Sequence, residues 1–276
     1  MMKKNIVKIL WHVYKLLLDI MVFPLSVSRF FDKAVGSDYR VGVFTKLWLL
    51  FRFMRNVREI ETASHWREHL EIAIAILSTP SDTKGAVIEC GCYRGGATVN
   101  LSLVCNLAKR KLIVFDSFEG LPEPEDWDRI HHLPDGRKSI YKKGKFSCSL
   151  GEVKRNILKY GCIDVCDFVS GWFEDTLQDL DKKIIVALLD VDLRESLETC
   201  VQALWDKAQP GCKFFCHEAP HLENVRLFFD DSFWKEKMKQ NISPGFIGGG
   251  TGLPLLMTGR IIGSALGYSV KASEDG

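Results

Sequence analysis

From residue 86 onward short apolar runs alternate with helical segments, and four of those runs end in an acidic group. AVIE (86–89), LIVFD (112–116), DFVSG (167–171), KIIVALLD (183–190) and CKFFCHE (212–218) read as strands. ATVNLSLVCNLAKR, SLGEVKRNILKYG and LRESLETCVQALWDKAQPG lie between them and read as helices. An alternation of this kind restricts the chain to an α/β fold with a mostly parallel sheet covered on both faces. Ser149 and Glu152 stand in capping-box spacing and Gly161 closes the same helix, while Pro210-Gly211 stops the last one. Residues 260–271 are expected to add a terminal hairpin.

In such sheets ligands bind beyond the carboxyl ends of the strands. Glu89, Asp116, Asp190 and the pair His217-Glu218 all fall on that edge. A lone acid there is commonly a helix cap; four strands ending this way mark a candidate site. The first of them runs straight into Gly91, Gly95 and Gly96, which let the backbone turn sharply and a ligand approach the free N–H groups of a new helix. Asp116 lies 25 residues past Gly91, the distance at which an acid on the second strand meets ribose hydroxyls of a nucleotide-like cofactor. The spacing is G-x-x-x-G-G rather than G-x-G-x-x-G. That disfavours NAD and leaves S-adenosylmethionine, which has no pyrophosphate to cradle.

ECGCYRGG, FDSFEGLP (115–122), the SLGEVKRNILKYG helix, FVSGWFEDTL (168–177) and LLDVDLRES (188–196) resemble, in this order, the macrocin O-methyltransferase family. Its members are class I S-adenosylmethionine-dependent enzymes that methylate sugar hydroxyls. The resemblance covers about residues 86–218 and implies a Rossmann-like, mostly parallel seven-stranded sheet with helices on both faces. It implies that Glu89, Gly91, Arg94, Gly95 and Gly96 shape the cofactor site, that Asp116 and Ser117 contact the adenosyl ribose, and that Trp172 borders the pocket. It also implies magnesium on Asp190 and on two acids ending the fifth strand, where this chain has His217 and Glu218 instead. Magnesium prefers oxygen, whereas imidazole suits manganese, zinc or iron better. Three readings stay open: a changed metal, a metal on Asp190 and Glu218 alone, or no metal. His217 is also a candidate general base, as are His131 and His132.

Those two histidines lie in a stretch, 118–148, with three prolines and the Lys142, Lys143, Lys145 cluster, read as a loop or lid over an acidic or phosphorylated acceptor. IGGGTGLPLL (247–256) reads as a flexible turn bordering the substrate pocket, and FFDDSFW (228–234) as a packed aromatic segment rather than a nucleic-acid platform.

The first 79 residues form a separate, helical extension to a methyltransferase domain at 80–276. Residues 1–58 hold 11 Lys/Arg against 3 Asp/Glu, a net of +8 in a chain whose total is +2. NIVKILWHVYKLLLDIMVF (5–23) carries one narrow polar stripe and meets a charge or His at every turn, unlike a spanning helix or a secretory signal. VGVFTKLWLLFRFMRNVR (41–58) is again basic and apolar. Both suit the inner face of an anionic membrane; they suit equally packing on the domain or across a homo-oligomer. Nine cysteines without zinc-ribbon spacing indicate free thiols in a reducing, cytoplasmic compartment.

The leading expectation is an O-methyltransferase for a sugar, glycosylated or lipid-linked small molecule, with no nucleic-acid partner. The alternatives are an inactive cofactor-binding or scaffold protein of the same fold and, less favoured, an NAD-dependent sugar oxidoreductase.

Overall fold

The computed structural model describes residues 23–24, 27–132, 138–219, 221–247 and 266–272. In chain order its elements are α1 (Val43–Glu59), α2 (Trp66–Ser78), β1 (Ala86–Cys90), α3 (Gly96–Leu107), β2 (Leu112–Asp116), β3 (Ile130–His132), β4 (Lys138–Ile140) and α4 (Leu150–Tyr160). There follow β5 (Cys166–Ser170), α5 (Phe173–Thr176), β6 (Ile184–Leu189), α6 (Arg194–Leu204), β7 (Ala208–Cys216), α7 (Leu222–Leu227), α8 (Asp231–Glu236) and β8 (Gly267–Val270). The main sheet has the order β5-β2-β1-β6-β7-β8, parallel throughout except for β8, which runs antiparallel to β7.

Every residue of β1 and β6 is buried, as central strands covered on both faces must be. The two-residue period sends Val87 and Leu188 into a core with α1, α2, α3 and α4, and Ile88 and Leu189 into a core with α6, α7 and α8. In the second core Trp205 and Trp234 meet edge to face at 4.6 Å, and Phe228, Phe233 and Trp234 are buried, so three of the four aromatic residues of FFDDSFW pack as its composition indicated while Phe229 stays exposed.

Among the described residues the main sheet has six strands; other expectations need correction. The 118–148 stretch is not a plain loop: β3 and β4 form a separate two-stranded sheet with His131 opposite Ser139 and His132 opposite Lys138. β7 starts at Ala208 and runs through Pro210-Gly211, where the register against β6 is irregular and tolerates a residue lacking an N–H. β8 pairs with β7 and bridges Ile247 at Tyr268; the rest of the expected hairpin and most of 247–256 lie outside the described residues. Gly161 has φ −123°, so it is not needed for a left-handed cap; a Cβ there would stand 2.5 Å from Ser102 Oγ on α3.

α2 is buried from Trp66 through Leu77, and Leu70, Ile72 and Ile76 each contribute about 1.5–3 kcal/mol by leaving water. α1 buries only one side, Lys46, Leu49, Leu50, Phe53 and Asn56. A polar chain ties it down. Asn56 Nδ2 donates to Asn100 Oδ1 (2.8 Å), Asn100 Nδ2 meets His69 Nδ1 (2.8 Å) and His69 Nε2 meets Ser64 Oγ (2.7 Å). Burial lowers His69 to about pKa 4, so the ring is neutral, accepting at Nδ1 and donating at Nε2. All nine cysteines are free thiols, and all but Cys162 are buried.

Candidate active site

The chain lays β1, β2 and β5 to one side and β6, β7 and β8 to the other, so the strand order reverses between β1 and β6. A crevice at such a switch point is where open α/β sheets hold ligands. Gly91, with φ +82°, makes the turn after β1, and a Cβ on it would lie 2.0 Å from the carbonyl oxygen of Asp190. Glycine is therefore required there to let the β1 and β6 turns touch, which brings Glu89 and Asp190 to one place.

On the β1–β2 side Glu89 is fully buried beside Thr98, with neither carboxylate oxygen in a well-formed hydrogen bond. Burial pushes it up to about 8, the Thr98 hydroxyl opposing and Asp190 and Asp116 adding to the rise. Asp116 Oδ2 accepts from Cys92 N (2.7 Å) and Oδ1 from Phe118 N (2.7 Å), which ties the β1 turn to the end of β2. Ser117 Oγ donates to the Gly120 carbonyl (3.1 Å) and accepts from Glu119 N (3.1 Å). Gly171 N donates to the Asp116 carbonyl (3.1 Å), which seats Trp172, the half-buried residue that opens α5, beside this corner.

Gly95 takes φ +81° to open α3, and a Cβ on Gly96 would stand 2.6 Å from Thr62. Arg94 stacks on Tyr93 and pairs with Glu152 (3.1 Å) and Glu61 (3.4 Å), so it braces α4 against the glycine turn from the outside. Glu152 is thus engaged with Arg94, while Ser149 Oγ accepts from its N–H (3.3 Å).

On the β6–β7 side Asp190, His217 and Glu218 each offer a ligand atom within 4.8 Å of the others. His217 Nδ1 is 3.2 Å from Asp190 Oδ1 and 3.7 Å from Glu218 Oε1. Its Nε2 faces Glu68 Oε2 on α2 at 3.3 Å. Burial alone would lower the pKa of His217, but the Asp190 and Glu68 carboxylates outweigh it and raise it well above the usual value. Both ring nitrogens therefore face carboxylates. Burial pushes Glu218 up to about 8, opposed by its hydrogen bond to His217.

Two residues that sequence reasoning passed over join this cluster. Asp192 follows Asp190 by two positions with a left-handed φ of +62° and receives a hydrogen bond from the Tyr141 hydroxyl. Burial, then the charge of Asp190, push it up to about 6. The second D of LLDVD was the available signal. Glu68 is the other. It stands on a helix that the sequence reading grouped with the N-terminal extension, and no local signal marked its side chain for the site.

The β3–β4 flap docks beside Asp192. Leu121 and Tyr141 pack on Leu193, Asp128 Oδ2 accepts from Arg194 N (2.7 Å), and the Lys145 ammonium lies over the Tyr141 ring at 4.4 Å. Of His131 and His132 the backbone is placed in β3; their side chains lie outside the described residues.

A switch-point crevice with a glycine turn on one wall and a cluster of acids on the other is the ligand-binding arrangement of a Rossmann-like α/β fold. The profile of the macrocin-O-methyltransferase (TylF) family matches residues 65–244, and the chain belongs to that family. No curated protein sequence matches it. Among solved structures it is similar to the O-methyltransferase NovP, at 20% identity and TM-score 0.51, over 94% of this chain and 99% of that one. It is also similar to the calicheamicin methyltransferase CalS11, at 17% identity and TM-score 0.50, over 83% of this chain and 80% of that one. At such identities these two likenesses concern the fold.

Proposed function

We propose that the chain transfers the methyl group of S-adenosylmethionine to a hydroxyl of a sugar-containing, membrane-associated acceptor, held between the β6–β7 acids and the β3–β4 flap. The observation that carries this reading is the convergence of Asp190, Asp192, His217 and Glu218 beside the Glu89–Asp116 corner at the switch point.

The residues fit the cofactor. S-adenosylmethionine is a cation with an ammonium group and ribose hydroxyls, and Glu89 is a buried acid whose oxygens lack good donors. Each Asp116 oxygen keeps a second lone pair for a ribose hydroxyl. They also fit a divalent ion. Asp190, His217 and Glu218 would hold it, and the mixed oxygen and nitrogen set suits manganese, iron or zinc better than magnesium. Such an ion lowers the pKa of a bound hydroxyl.

The methyl transfer is an in-line displacement in which the acceptor oxygen attacks carbon as the C–S bond breaks. Positioning by the flap and the crevice contributes several kcal/mol, up to about 7–11 when alignment is good. The hydroxyl proton must leave during attack. Asp192 is the carboxylate placed to take it, because Asp190 faces His217 and both His217 nitrogens face acids. Lys145 and Tyr141 on the flap suit an acceptor with anionic or multiply hydroxylated groups.

Calorimetric titration with S-adenosylhomocysteine tests the cofactor assignment. Wild-type protein is expected to bind it and not NAD, with Asp116→Ala weakening the affinity about 5–150-fold, as loss of 1–3 kcal/mol of charged hydrogen bonding implies. Heat with NAD alone would mean an oxidoreductase.

The placement at the inner, anionic membrane surface rests on α1. Its outward side presents Val43, Phe44, Leu47, Trp48 and Phe51, and the exposed Arg55 and Arg58 continue that side toward the C-terminal end. Phe44 and Phe51 are 84% and 64% exposed, so neither serves the core. Apolar insertion plus about 1 kcal/mol per cation at anionic headgroups would hold the domain there. Among the described residues no helix is long and apolar enough to cross a membrane. Phe44→Asp combined with Phe51→Asp is expected to reduce co-sedimentation with phosphatidylserine vesicles at least tenfold while leaving thermal stability within a few degrees. Unchanged sedimentation would sink the membrane placement, and a shift from dimer to monomer mass would point to self-association instead.

A further inference from the structure

α2 runs beneath the ends of β6 and β7 with its first turn against the acid cluster. His65 opens it. The His65 side chain accepts from Arg67 N at 3.3 Å, and Glu68, in return, accepts at Oε2 from His65 N at 2.7 Å. That reciprocal cap leaves the Glu68 side chain little freedom. The same Oε2 stands 3.3 Å from His217 Nε2. Glu68 is buried at 4% exposure, and the His217 ring is held between it and Asp190.

An imidazole that binds a metal through one nitrogen nearly always gives the other N–H to a carboxylate or carbonyl, which fixes the tautomer and aims the lone pair. Here Glu68 receives Nε2, and Nδ1 is the nitrogen on the side of Asp190 Oδ1 and Glu218 Oε1. We propose that Glu68 is a positioning residue that orients His217 for metal ligation through Nδ1, so that the site takes an ion that accepts a nitrogen ligand more readily, such as Mn²⁺, in preference to Mg²⁺. The inference rests on the metal reading given above and goes beyond it. It assigns a nitrogen atom, an orienting carboxylate from outside the sheet, and a metal preference. A metal at Nδ1 would displace any proton there, and the neutral ring would keep its remaining proton on Nε2, facing Glu68.

Glu68→Gln is the informative variant, because Gln also serves at the third position of a capping box and keeps the helix start, yet it removes the carboxylate. Full-length protein is titrated with Mn²⁺ and with Mg²⁺, and the Mn²⁺-loaded protein is probed by electron spin-echo spectroscopy for a directly bound imidazole nitrogen. Wild type is expected to bind Mn²⁺ more tightly than Mg²⁺ and to show that nitrogen. Glu68→Gln is expected to lose about 10–100-fold in Mn²⁺ affinity, with Mg²⁺ affinity changed less than threefold. His217→Asp, which restores an all-oxygen set, is expected to lose the nitrogen signal and reverse the preference. Equal losses for the two ions in Glu68→Gln, no loss at all, or no imidazole coupling in wild type would each overturn the proposal. S-adenosylhomocysteine binding on the same samples separates this from the cofactor assignment: retained binding with unaltered metal preference condemns only the role of Glu68.

Discussion

Asp192→Asn is expected to lower kcat by about 10²–10⁴-fold, the usual contribution of a positioned base, while S-adenosylhomocysteine affinity stays within about threefold. The substitution keeps the shape and leaves an oxygen to accept from the Tyr141 hydroxyl, so the flap contact survives. It removes the one acid of the cluster whose hydrogen bond comes from the flap rather than from His217. Single-turnover transfer of a labelled methyl group, with an acceptor found by screening glycosylated alcohols, supplies the rate. A loss below tenfold would return the base role to His217, His131 or His132. The left-handed φ of +62° at Asp192 is one that Asn adopts as readily as Asp, so the substitution adds no backbone strain.

Gly91→Ala is expected to destabilise the protein by about 2–5 kcal/mol. The left-handed φ costs an alanine about 1–2 kcal/mol, and the overpacked contact adds about 1–3. The obstacle is backbone: a Cβ would sit 2.0 Å from the Asp190 carbonyl oxygen, which cannot rotate away as a flexible side chain can. At about 2–4 °C per kcal/mol for a chain of this size, the melting temperature should fall by roughly 4–20 °C. Gly211→Ala is the control. Gly211 has φ +80° with nothing within 4 Å of a Cβ, so it carries the conformational cost alone, about 1–2 kcal/mol. If the two variants melt together, the contact between the β1 and β6 turns is not what demands glycine. Because that contact also sets the spacing of Glu89 and Asp190, Gly91→Ala should weaken S-adenosylhomocysteine binding even below the melting transition.

The α/β alternation, the helix caps and the acids at four strand ends were legible because each is local: a two-residue period, a side chain reaching its own helix, a turn glycine. The family resemblance rested on the same local motifs. The first 79 residues were also legible as helical, yet the role of α2 among them was not. Counted with a basic extension, α2 reads as a surface or packing helix; only its burial and the 3.3 Å approach of Glu68 to His217 show that it forms a wall of the site. The two-stranded flap escaped notice because three-residue strands are too short for a period to register, and Pro and Lys there suggested a loop.

The sequence by itself determined the fold class, the edge of the sheet that carries the chemistry and the departure at His217-Glu218, since all of these follow from residue type and spacing along the chain. The tertiary structure alone decided which groups face one another across it. Glu68 and His217 are 149 residues apart, and Asp128 and Arg194 are 66 apart. No local signal records such pairings, because they arise when the β1–β6 reversal and the packing of α2 and the flap bring distant segments to the same end of the sheet.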